Sequence, residues 1–543
     1  MPFLAKKHSP IPSQDLLSWM FDSPKYDLDK PVYIDPSNPS RSISGREGRS
    51  LIRKVAAGLL THGLQKGDCV VVASFNDIYY PVIVLGIIAA GGIYSGTNPS
   101  YTSHELTHHV NTLHAKFIIT EPEILKPMLE AKHDVPKENI FIFNSMGQTI
   151  PNGFKGWKTL LEHGEVDWPR FTDPSASATT NCMLMFSSGT TGLPKAVQLT
   201  HRNFIAEHTI VFEDYPRPFP STRLLALPIF HVASTPSTII GPFRDGVTTY
   251  IMRRFDLELF LNYIQEYQAT ELLVVPPMAI AIIMSPARNK YNLKSVKSAM
   301  CGAAPLDKGP QARLKALLAD DAPFTQVWGM TETSCIASMF SPSEHDTTGS
   351  VGRMLNNLDV KLVADDGIDI SAPGVRGELC IRGPTVTRGY FENEEANTRD
   401  FDSDSFFHTG DIAYMDGETE LWYIVDRKKE LIKVRGFQVA PPELEATLLS
   451  HSDIVDAGVI GIPATAISAT SRDGELPRAY VVLRPGAKLT EAEVVEYAAG
   501  RLAKYKRLDG GVKFVDAIPK TASGKILKRV LRETAKKEMG AKL

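Results

Sequence analysis

The chain has 543 residues, of which 43% are hydrophobic and 22% charged, a composition typical of globular proteins with large buried cores. Its 59 basic and 62 acidic residues leave a formal net charge of −3, so we expect no nucleic acid partner. The five cysteines lie far apart in the sequence, which argues against a disulfide framework and is typical of a reducing compartment.

Two segments bear on location. The most apolar stretch, residues 79–94, is shorter than the roughly 20 residues that span a bilayer. It contains three glycines, and we predict a buried helix rather than a transmembrane segment. The sequence ends in Ala541, Lys542 and Leu543, which resembles the peroxisomal address Ser-Lys-Leu. We therefore expect a peroxisomal import receptor as a partner and a peroxisomal, otherwise cytoplasmic, location.

Short runs rich in Val, Ile and Leu alternate with helical patterns through the first four-fifths of the chain. Helices are predicted at residues 45–64 and 256–269, and buried strands at 68–74, 116–120, 139–143, 223–229, 248–252 and 271–277. Strands that are apolar on both faces and separated by helices indicate parallel βαβ layers. The fold class is therefore α/β.

The pattern changes after residue 350. Shorter strands separated by Gly and Asp turns indicate antiparallel pairing or a small barrel-like subdomain. From about Arg427 the pattern of the last block indicates a compact α+β unit, with a helix beginning near Thr490. We predict a large N-terminal domain over residues 1–426 and a small C-terminal domain over 427–543.

The stretch SSGTTGLPK, residues 187–195, follows an apolar strand. Glycine turns, hydroxyl groups and a cation are what a polyphosphate requires. The spacing is not that of a P-loop, because Lys195 follows Pro194 rather than glycine. By itself the stretch is also compatible with a polar surface turn.

Four further segments carry similar chemistry. In QVWGMTET, Trp328 could stack on a base and Glu332 could hold Mg²⁺, which prefers oxygen ligands. In FHTGDIAY, Asp411 could accept hydrogen bonds from the hydroxyls of a ribose. Residues 424–443 combine a strand with a cationic turn, and PKTASGKILKR is a Thr/Ser/Gly loop that contains Lys525. Each of these alone also fits a core or surface role.

Taken together and in this order, the five segments resemble the signature regions of the adenylate-forming superfamily. LPIFHV, CGAAPL and LIKVRGFQVAPPELE are most similar to the coumarate–CoA ligase-like synthetases. The resemblance implies a ligase that uses ATP, Mg²⁺ and coenzyme A to convert a carboxylic acid into an acyl-adenylate and then a thioester. The apolar pocket segments favour an aryl or a medium- to long-chain acid.

The resemblance also implies roles for individual residues on the ATP side. Lys525 would bridge the carboxylate and the α-phosphate as a cation, a role that requires no shift of its pKa. Glu332 would bind Mg²⁺. Phosphate contacts are expected from Ser187, Ser188, Gly189, Thr190, Thr191 and Lys195; adenine and phosphate contacts from Gln326, Trp328 and Thr331; and ribose contacts from Asp411 and Arg427. Trp328 stands where relatives usually have tyrosine.

Other residues would serve the acid and CoA. In this family the C-terminal domain turns between the two half-reactions, and Lys429 occupies the hinge position. Lys433, Arg435, Gly436 and Gln438 would lie on the face presented second, and Arg254 matches a CoA phosphate contact. His231, Ser237, Gly302 and Ala303 would line the acyl pocket. His231, Lys433 and Lys429 are thus catalytic candidates beside Lys525 and Glu332. Arg435 stands where relatives often have lysine.

Three other functions stay open at the level of sequence. An amino-acid adenylation enzyme would need a pocket carboxylate for the substrate ammonium, yet none precedes Asp245 after His231, and an unpaired buried ammonium is costly. A luciferase-like monooxygenase shares the first half-reaction, but the CoA-side residues disfavour it. A catalytically inactive nucleotide-binding regulator is disfavoured by the presence of Lys525, Glu332 and Asp411 together.

Overall fold

A computed structural model describes residues 1–187, 193–434, 437–464, 474–521 and 524–540. Several predicted site residues therefore lie outside the described residues: Ser188, Gly189, Thr190, Thr191, Arg435 and Gly436, together with the side chain of Gln438 and the terminal tripeptide.

The strands, numbered in chain order, are β1 (Pro31–Ile34), β2 (Ser42–Ser44), β3 (Cys69–Ala73), β4 (Ile93–Thr97), β5 (Phe117–Thr120), β6 (Ile140–Ile142), β7 (Lys155–Gly156), β8 (Asn181–Ser187), β9 (Lys195–Thr200), β10 (Thr222–Leu225), β11 (Thr248–Ile251), β12 (Glu271–Val274), β13 (Ser298–Cys301), β14 (Phe324–Gln326), β15 (Trp328–Met330), β16 (Cys335–Met339), β17 (Arg353–Met354), β18 (Asp359–Val363), β19 (Gly377–Arg382), β20 (Phe407–Met415), β21 (Trp422–Arg427), β22 (Ile432–Val434), β23 (Phe437–Val439), β24 (Ile454–Pro463), β25 (Glu475–Leu483) and β26 (Val512–Phe514).

The α-helices are α1 (Leu16–Phe21), α2 (Gly45–Thr61), α3 (Tyr80–Ala89), α4 (Ser103–Thr112), α5 (Leu125–Glu130), α6 (Ala176–Thr179), α7 (His201–His208), α8 (Gly241–Asp245), α9 (Leu257–Glu266), α10 (Pro276–Met284), α11 (Lys308–Lys315), α12 (Glu394–Asp400), α13 (Pro441–Leu449), α14 (Glu491–Ala499) and α15 (Lys528–Gly540). Two short π-helical turns, Thr209–Glu213 and Thr235–Ile240, interrupt this pattern.

Two sheets, each of seven strands among the described residues, form the body of the N-terminal part. Their strand orders are β7-β6-β5-β3-β4-β8-β9 and β14-β13-β12-β10-β11-β1-β2. The predicted strands pair in parallel, as the βαβ pattern requires. Among these described strands, only the last of each order, β9 and β2, joins its neighbour in antiparallel fashion. The α/β class is confirmed.

The apolar stretch at residues 79–94 forms the fully buried helix α3, followed by β4. Helix α2 packs against it through Val55, and a Cβ on Gly86 would lie 2.4 Å from Val55 Cγ1. The glycine thus permits a close approach of the two helices. No helix in the described part of the chain is both long enough and apolar enough to cross a bilayer.

The segment after residue 350 forms an antiparallel sheet with the order β18-β19-β20-β21, one of the two arrangements that its turn-rich pattern predicts. The C-terminal block follows, with a β22–β23 hairpin and a three-stranded sheet, β24-β25-β26. Helix α14 begins where the sequence predicts, because the Thr490 hydroxyl accepts a hydrogen bond from the Glu493 amide. The block has buried apolar clusters of its own. The exact boundary at residue 426 stays a prediction.

Candidate active site

The predicted site residues of the N-terminal part follow the carboxyl ends of neighbouring parallel strands. His231 comes after β10, Gly302 and Ala303 after β13, and Trp328 after β14. Because parallel strands present these ends at one edge of the sheet, their loops meet there, which is where α/β sheets commonly bind ligands.

Asp411 is the centre of a buried polar cluster at this edge. Its side chain accepts a hydrogen bond of 2.8 Å from the Trp328 indole N–H and forms an ion pair of 2.9 Å with Arg427 Nε. The pairing follows from the sheet, because Asp411 on β20 and Arg427 on β21 are register partners. The carboxylate is the main cause of a raised pKa of Arg427. Asp411 is thus held in one orientation by two donors.

Lys525 reaches this cluster from the C-terminal block. Its amide donates to Thr521 Oγ1 over 3.0 Å, and the Thr521 amide donates to the Lys525 carbonyl over 2.8 Å, which closes a tight loop. Burial, and then the positive charge of Arg427, lower the pKa of the Lys525 ammonium to about 8. The predicted role does not require this shift, which arises because a cation close to Arg427 in a partly desolvated site is less stable.

A glycine permits this approach. Gly524, directly before Lys525, has φ +84°, and a Cβ there would lie 2.6 Å from Pro277 Cγ on α10. The loop of the C-terminal block therefore packs tightly on the N-terminal part, and this contact brings Lys525 to the Asp411 cluster.

Glu332 lies in a second buried cluster that the sequence predicts only in part. The Tyr390 hydroxyl donates to Glu332 Oε1 over 3.0 Å. Lys195 Nζ lies 3.7 Å from the centre of the Tyr390 ring and 2.9 Å from Asp400 Oδ2. Burial, and then the charge of Glu332, raise the pKa of Tyr390 well above its usual range.

Tyr390 and Asp400 are not among the residues predicted from the sequence. They connect Lys195, at the end of the glycine-rich stretch, to Glu332, far away in sequence. The available signal was the requirement of a partly buried lysine for a carboxylate partner, but that signal does not say which of many acidic residues supplies it.

The residues around Glu332 fit a magnesium ion held jointly with a substrate. Oε2 of Glu332 has no hydrogen-bond partner among the residues that the structure describes. No group of three or more His, Cys, Asp or Glu side chains suited to a metal exists in the described ranges. Mg²⁺ commonly binds through one or two carboxylates together with substrate phosphates, and this single buried carboxylate matches that mode.

The side chain of Gln326 is buried and is held by hydrogen bonds within the protein. Its amide exchanges two hydrogen bonds of 2.8 Å with the backbone of Leu306 and donates a third to Gln311. Both N–H donors are thus used within the protein. The side chain supports the loop that carries Gly302 and Ala303, whereas a direct contact with ATP stays a prediction.

Three residues beside the site hold unusual backbone conformations. Ala303 has φ +72°, Ser334 +63° and Cys335 +142°. Such conformations cost non-glycine residues about 1–3 kcal/mol each and cluster at functional sites. Here Ala303 directly follows Gly302, and Ser334 and Cys335 come shortly after Glu332 in the sequence.

A pocket of about 590 Å³, counting its open mouth, lies against the second seven-stranded sheet, below the edge where the carboxyl ends of its parallel strands meet. Ser237 lines it, and Ala233, two residues after His231, lies at its wall. Burial lowers the pKa of His231 to about 4, and its Nδ1 accepts a hydrogen bond of 3.2 Å from the Ala233 amide. His231 is therefore neutral near pH 7 and fixed in orientation. Of the four residues predicted for the acyl pocket, Ser237 lines this pocket, whereas His231, Gly302 and Ala303 are not among its lining residues.

Three of the predicted CoA-side and hinge residues lie in the described part of the chain and do not join these clusters. Lys429, Lys433 and Arg254 are exposed. Arg254 stacks on the ring of Phe75 at 3.7 Å, and Lys433 lies on β22 in the C-terminal block. Their predicted roles are compatible with a surface that meets another substrate but stay predictions.

Fold and site together define a nucleotide-dependent enzyme whose small C-terminal block completes the site. The chain matches the AMP-binding enzyme family over residues 21–391 and the C-terminal domain of AMP-binding enzymes over residues 443–525. The chain belongs to this family of adenylate-forming enzymes.

Several relatives are similar over almost their whole length. Phenylacetyl-CoA ligase epaB of Aspergillus niger is 53% identical over 529 residues, covering 96% of this chain and 97% of the relative. Acyl-CoA ligase azaF of the same species is 52% identical, covering 96% and 98%. The structure of ATP-bound MatB from Rhodopseudomonas palustris matches with a TM-score of 0.81 and 27% identity, covering 96% and 99%.

Proposed function

We propose that this chain is an ATP-dependent, AMP-forming acid–CoA ligase that acts on an aryl or a medium- to long-chain carboxylic acid. The approach of Lys525 to the Asp411–Arg427 pair is the observation that carries this proposal. This approach places a cation of the C-terminal block at a cluster of residues suited to bind a nucleotide, and an apolar pocket lies beside them. The names of the two Aspergillus relatives support the same reaction class.

In the first half-reaction a carboxylate oxygen attacks the α-phosphate of ATP, the bond to the β-phosphate breaks, and pyrophosphate leaves. Asp411 would accept the ribose hydroxyls while Trp328 and Arg427 hold its carboxylate in place. Lys525 would donate from its ammonium group to the carboxylate and the α-phosphate. Its contribution is positioning and charge stabilisation, which requires the protonated form.

Lys195 and Glu332 would serve the other end of the nucleotide. Lys195 lies at the start of β9, directly after the glycine-rich stretch, and would contact the β- and γ-phosphates together with that stretch. Glu332 would hold Mg²⁺, which supplies charge neutralisation for the phosphates when bound. Tyr390 keeps Glu332 oriented through its hydroxyl.

In the second half-reaction the CoA thiolate attacks the acyl carbon, and AMP leaves. Lys429, as the hinge, and Lys433, on the exposed face of the C-terminal block, would act at this stage. Arg254 would meet a phosphate of CoA, since its guanidinium is exposed and supported by Phe75. This assignment rests on the resemblance and on exposure.

The direct test measures AMP release with and without CoA, over a panel of phenylacetate, cinnamates, fatty acids of graded length and the common amino acids. CoA-dependent AMP release with an aryl or acyl series is the expected result. Amino-acid-dependent pyrophosphate exchange that is indifferent to CoA would favour an amino-acid adenylation enzyme. Light emission or oxygen consumption would favour a monooxygenase, and no exchange with any acid would favour an inactive regulator.

The peroxisomal location is a separate proposal, based on the sequence of residues 541–543 alone. Its test compares a fluorescent fusion that ends in these residues with one that lacks them. Peroxisomal import only of the former is expected, and equal distribution of both fusions would contradict the proposal.

A further inference from the structure

One face of the sheet that contains β10, β11 and β12 forms a wall of the pocket described above. Arg223 and Leu225 on β10 point to the same face, since side chains alternate along a strand. Arg223 is the register partner of Glu271 on β12 and of Thr249 on β11, and all of these residues line the pocket. The wall is therefore apolar near the carboxyl ends of the strands and charged near their beginnings.

The opposite wall of the pocket is a π-helical turn, Thr235–Ile240, which contributes Ser237. Arg223 Nη1 donates to the Ser237 carbonyl over 3.2 Å. The charged end of the sheet is thus tied to the turn that covers it. Ala233 and Cys335 close the pocket on the side of His231 and Glu332.

The charged end is a buried triad with one more cation than anion. Glu271 receives Arg217 Nε and Arg223 Nε on its two carboxylate oxygens, each at 2.6 Å. Exposed fractions of the side chains are 7% for Arg217, 12% for Arg223 and 8% for Glu271. Burial alone would raise the pKa of Glu271, but the two guanidinium groups, Arg223 foremost, outweigh it and lower this pKa to about 2. The three side chains by themselves therefore sum to +1, and the Asp245 carboxylate, which pairs with His208, also interacts with the charge of Arg223.

Donors are left over on this triad. Besides Glu271, Arg217 donates from Nη1 to the Tyr215 carbonyl over 2.9 Å. For neither arginine does Nη2 have an acceptor among the residues that the structure describes. Neither Nη2 atom is among the fully buried polar atoms that lack a partner, so each stays accessible and can donate a charge-assisted hydrogen bond to an oxygen acceptor of a ligand.

The triad lies at a distance from the reacting carboxyl that suits the far end of a substrate. Arg223 and Glu271 stand at or near the start of their strands, whereas His231 and Ala303 follow the opposite ends. A rise of about 3.3 Å per residue places two to three residues of strand, or about 7–10 Å, between these levels. An aryl group or a chain of medium length spans this separation.

From this arrangement we infer that the triad Arg217–Glu271–Arg223 is the specificity-determining floor of the acid pocket. It selects acids that carry an oxygen acceptor, such as a hydroxyl or second carboxylate, at the end remote from the reacting carboxyl. The inference rests on the proposed ligase function and names its substrate class. Long unsubstituted alkyl chains would meet a charged floor and would be disfavoured.

The test compares matched acids on the full-length enzyme by the kcat/KM of CoA-dependent AMP release. The pairs are octanoate with octanedioate, and phenylacetate with para-hydroxyphenylacetate. We expect the oxygenated member of each pair to be preferred by about tenfold, as a charge-assisted hydrogen bond to a buried cation provides. The wild-type comparison needs no variant and so does not depend on how a substitution folds.

Arg223→Met supplies the second arm, because it leaves a balanced Arg217–Glu271 pair and a neutral floor. We expect its preference to shift towards octanoate and phenylacetate, while Arg223→Lys keeps the preference for oxygenated acids. Thermal melting of each variant shows whether it is folded.

The outcomes separate this inference from the proposed function. If no acid supports CoA-dependent AMP release, the ligase proposal fails. If acids are activated but the oxygenated and plain members react equally, or folded Arg223→Met keeps the wild-type ratio, the triad is only a structural ion network and the inference is overturned.

Discussion

At the scale of single residues, the acidity of Lys525 makes adenylation dependent on pH. Its pKa is lowered to about 8, so the ammonium form is present below this pH and is lost as pH rises through it. Because the cation stabilises the α-phosphate step, we expect kcat/KM for ATP in pyrophosphate exchange to fall above about pH 8. This parameter reports the ionisation of the free enzyme.

Lys525→Arg is the matched control, since a guanidinium stays charged over the whole accessible range. Its activity should be lower, because the geometry differs, but should lack the alkaline decline. An identical alkaline limb in both enzymes would assign the titration to another group.

Lys525→Ala tests whether Lys525 is required for only one of the two half-reactions. We expect it to abolish adenylate formation, measured by pyrophosphate exchange, while thioester formation from supplied acyl-adenylate and CoA stays close to wild type. The reason is that the Lys525 cation is placed at the Asp411 cluster for the first step only. Parallel loss of both half-reactions would contradict this.

The hydrogen bond from Trp328 to Asp411 yields a third prediction at this scale. Trp328→Phe keeps a flat ring for the base but removes the N–H that donates to Asp411 over 2.8 Å. A hydrogen bond to a charged group contributes about 1.5–3 kcal/mol, so we expect KM for ATP to rise about tenfold or more.

Trp157→Phe is the control for Trp328→Phe. Trp157 is fully buried in the short 3-10 turn directly after β7, and its Nε1 has no hydrogen-bond partner among the described residues. It should lower thermal stability without changing KM for ATP. If both variants affect KM equally, Trp328 acts through packing rather than through Asp411.

Individual residues were predictable to different degrees. Trp328, Asp411, Glu332 and Lys525 all follow from short motifs because each lies in a stretch with unusual local composition. Their mutual contacts do not follow, because a hydrogen bond such as that between Trp328 and Asp411 depends on how β15 and β20 come together. Tyr390, which supports Glu332, lies in a stretch without a distinctive local signal.

At the scale of elements, the loop before Lys525 depends on a glycine with a tight contact. In Gly524→Ala, the new Cβ would lie 2.6 Å from Pro277 Cγ at a positive φ. We expect the loop to be pushed off α10, so that pyrophosphate exchange falls sharply whereas thioester formation from supplied acyl-adenylate is retained.

Gly486→Ala isolates the backbone contribution. Gly486 has nearly the same φ, +85°, yet nothing lies within 4 Å of the position that a Cβ would take there. Both substitutions carry a similar cost of about 1 kcal/mol for the left-handed conformation. Equal effects of the two variants on exchange would show that the contact with Pro277 does not position Lys525.

Elements were predicted best where one residue pattern decides the outcome. The apolar runs of β3, β5 and β12 indicate buried parallel strands, and the fully apolar stretch of α3 indicates a buried helix. The antiparallel edges β2 and β9, and the π-helical turn Thr235–Ile240, were not predictable. Pairing at an edge and a widened helical turn depend on distant partners, such as the Arg223 side chain that binds the Ser237 carbonyl.

At the scale of the whole molecule, the C-terminal block carries two candidate lysines that differ in position. Lys525 is partly buried at the Asp411 cluster, whereas Lys433 is exposed on β22. The block has its own buried clusters and so can move as a unit. If Lys433 serves thioester formation, the block must turn, and the turning point lies in the short connection between β21 and β22, where Lys429 stands.

Lys429→Pro tests this motion, because proline fixes φ near −65° and limits rotation at that residue. We expect thioester formation from supplied acyl-adenylate to slow by at least about tenfold, while pyrophosphate exchange changes much less, since conformational steps often limit such enzymes. Lys429→Ala removes the charge but keeps backbone freedom, and should retain more thioester formation than the proline variant. Because the structure already has Lys525 at the Asp411 cluster, a proline that locks this arrangement preserves the first half-reaction and penalises only the second. Equal loss in both half-reactions would place the hinge elsewhere.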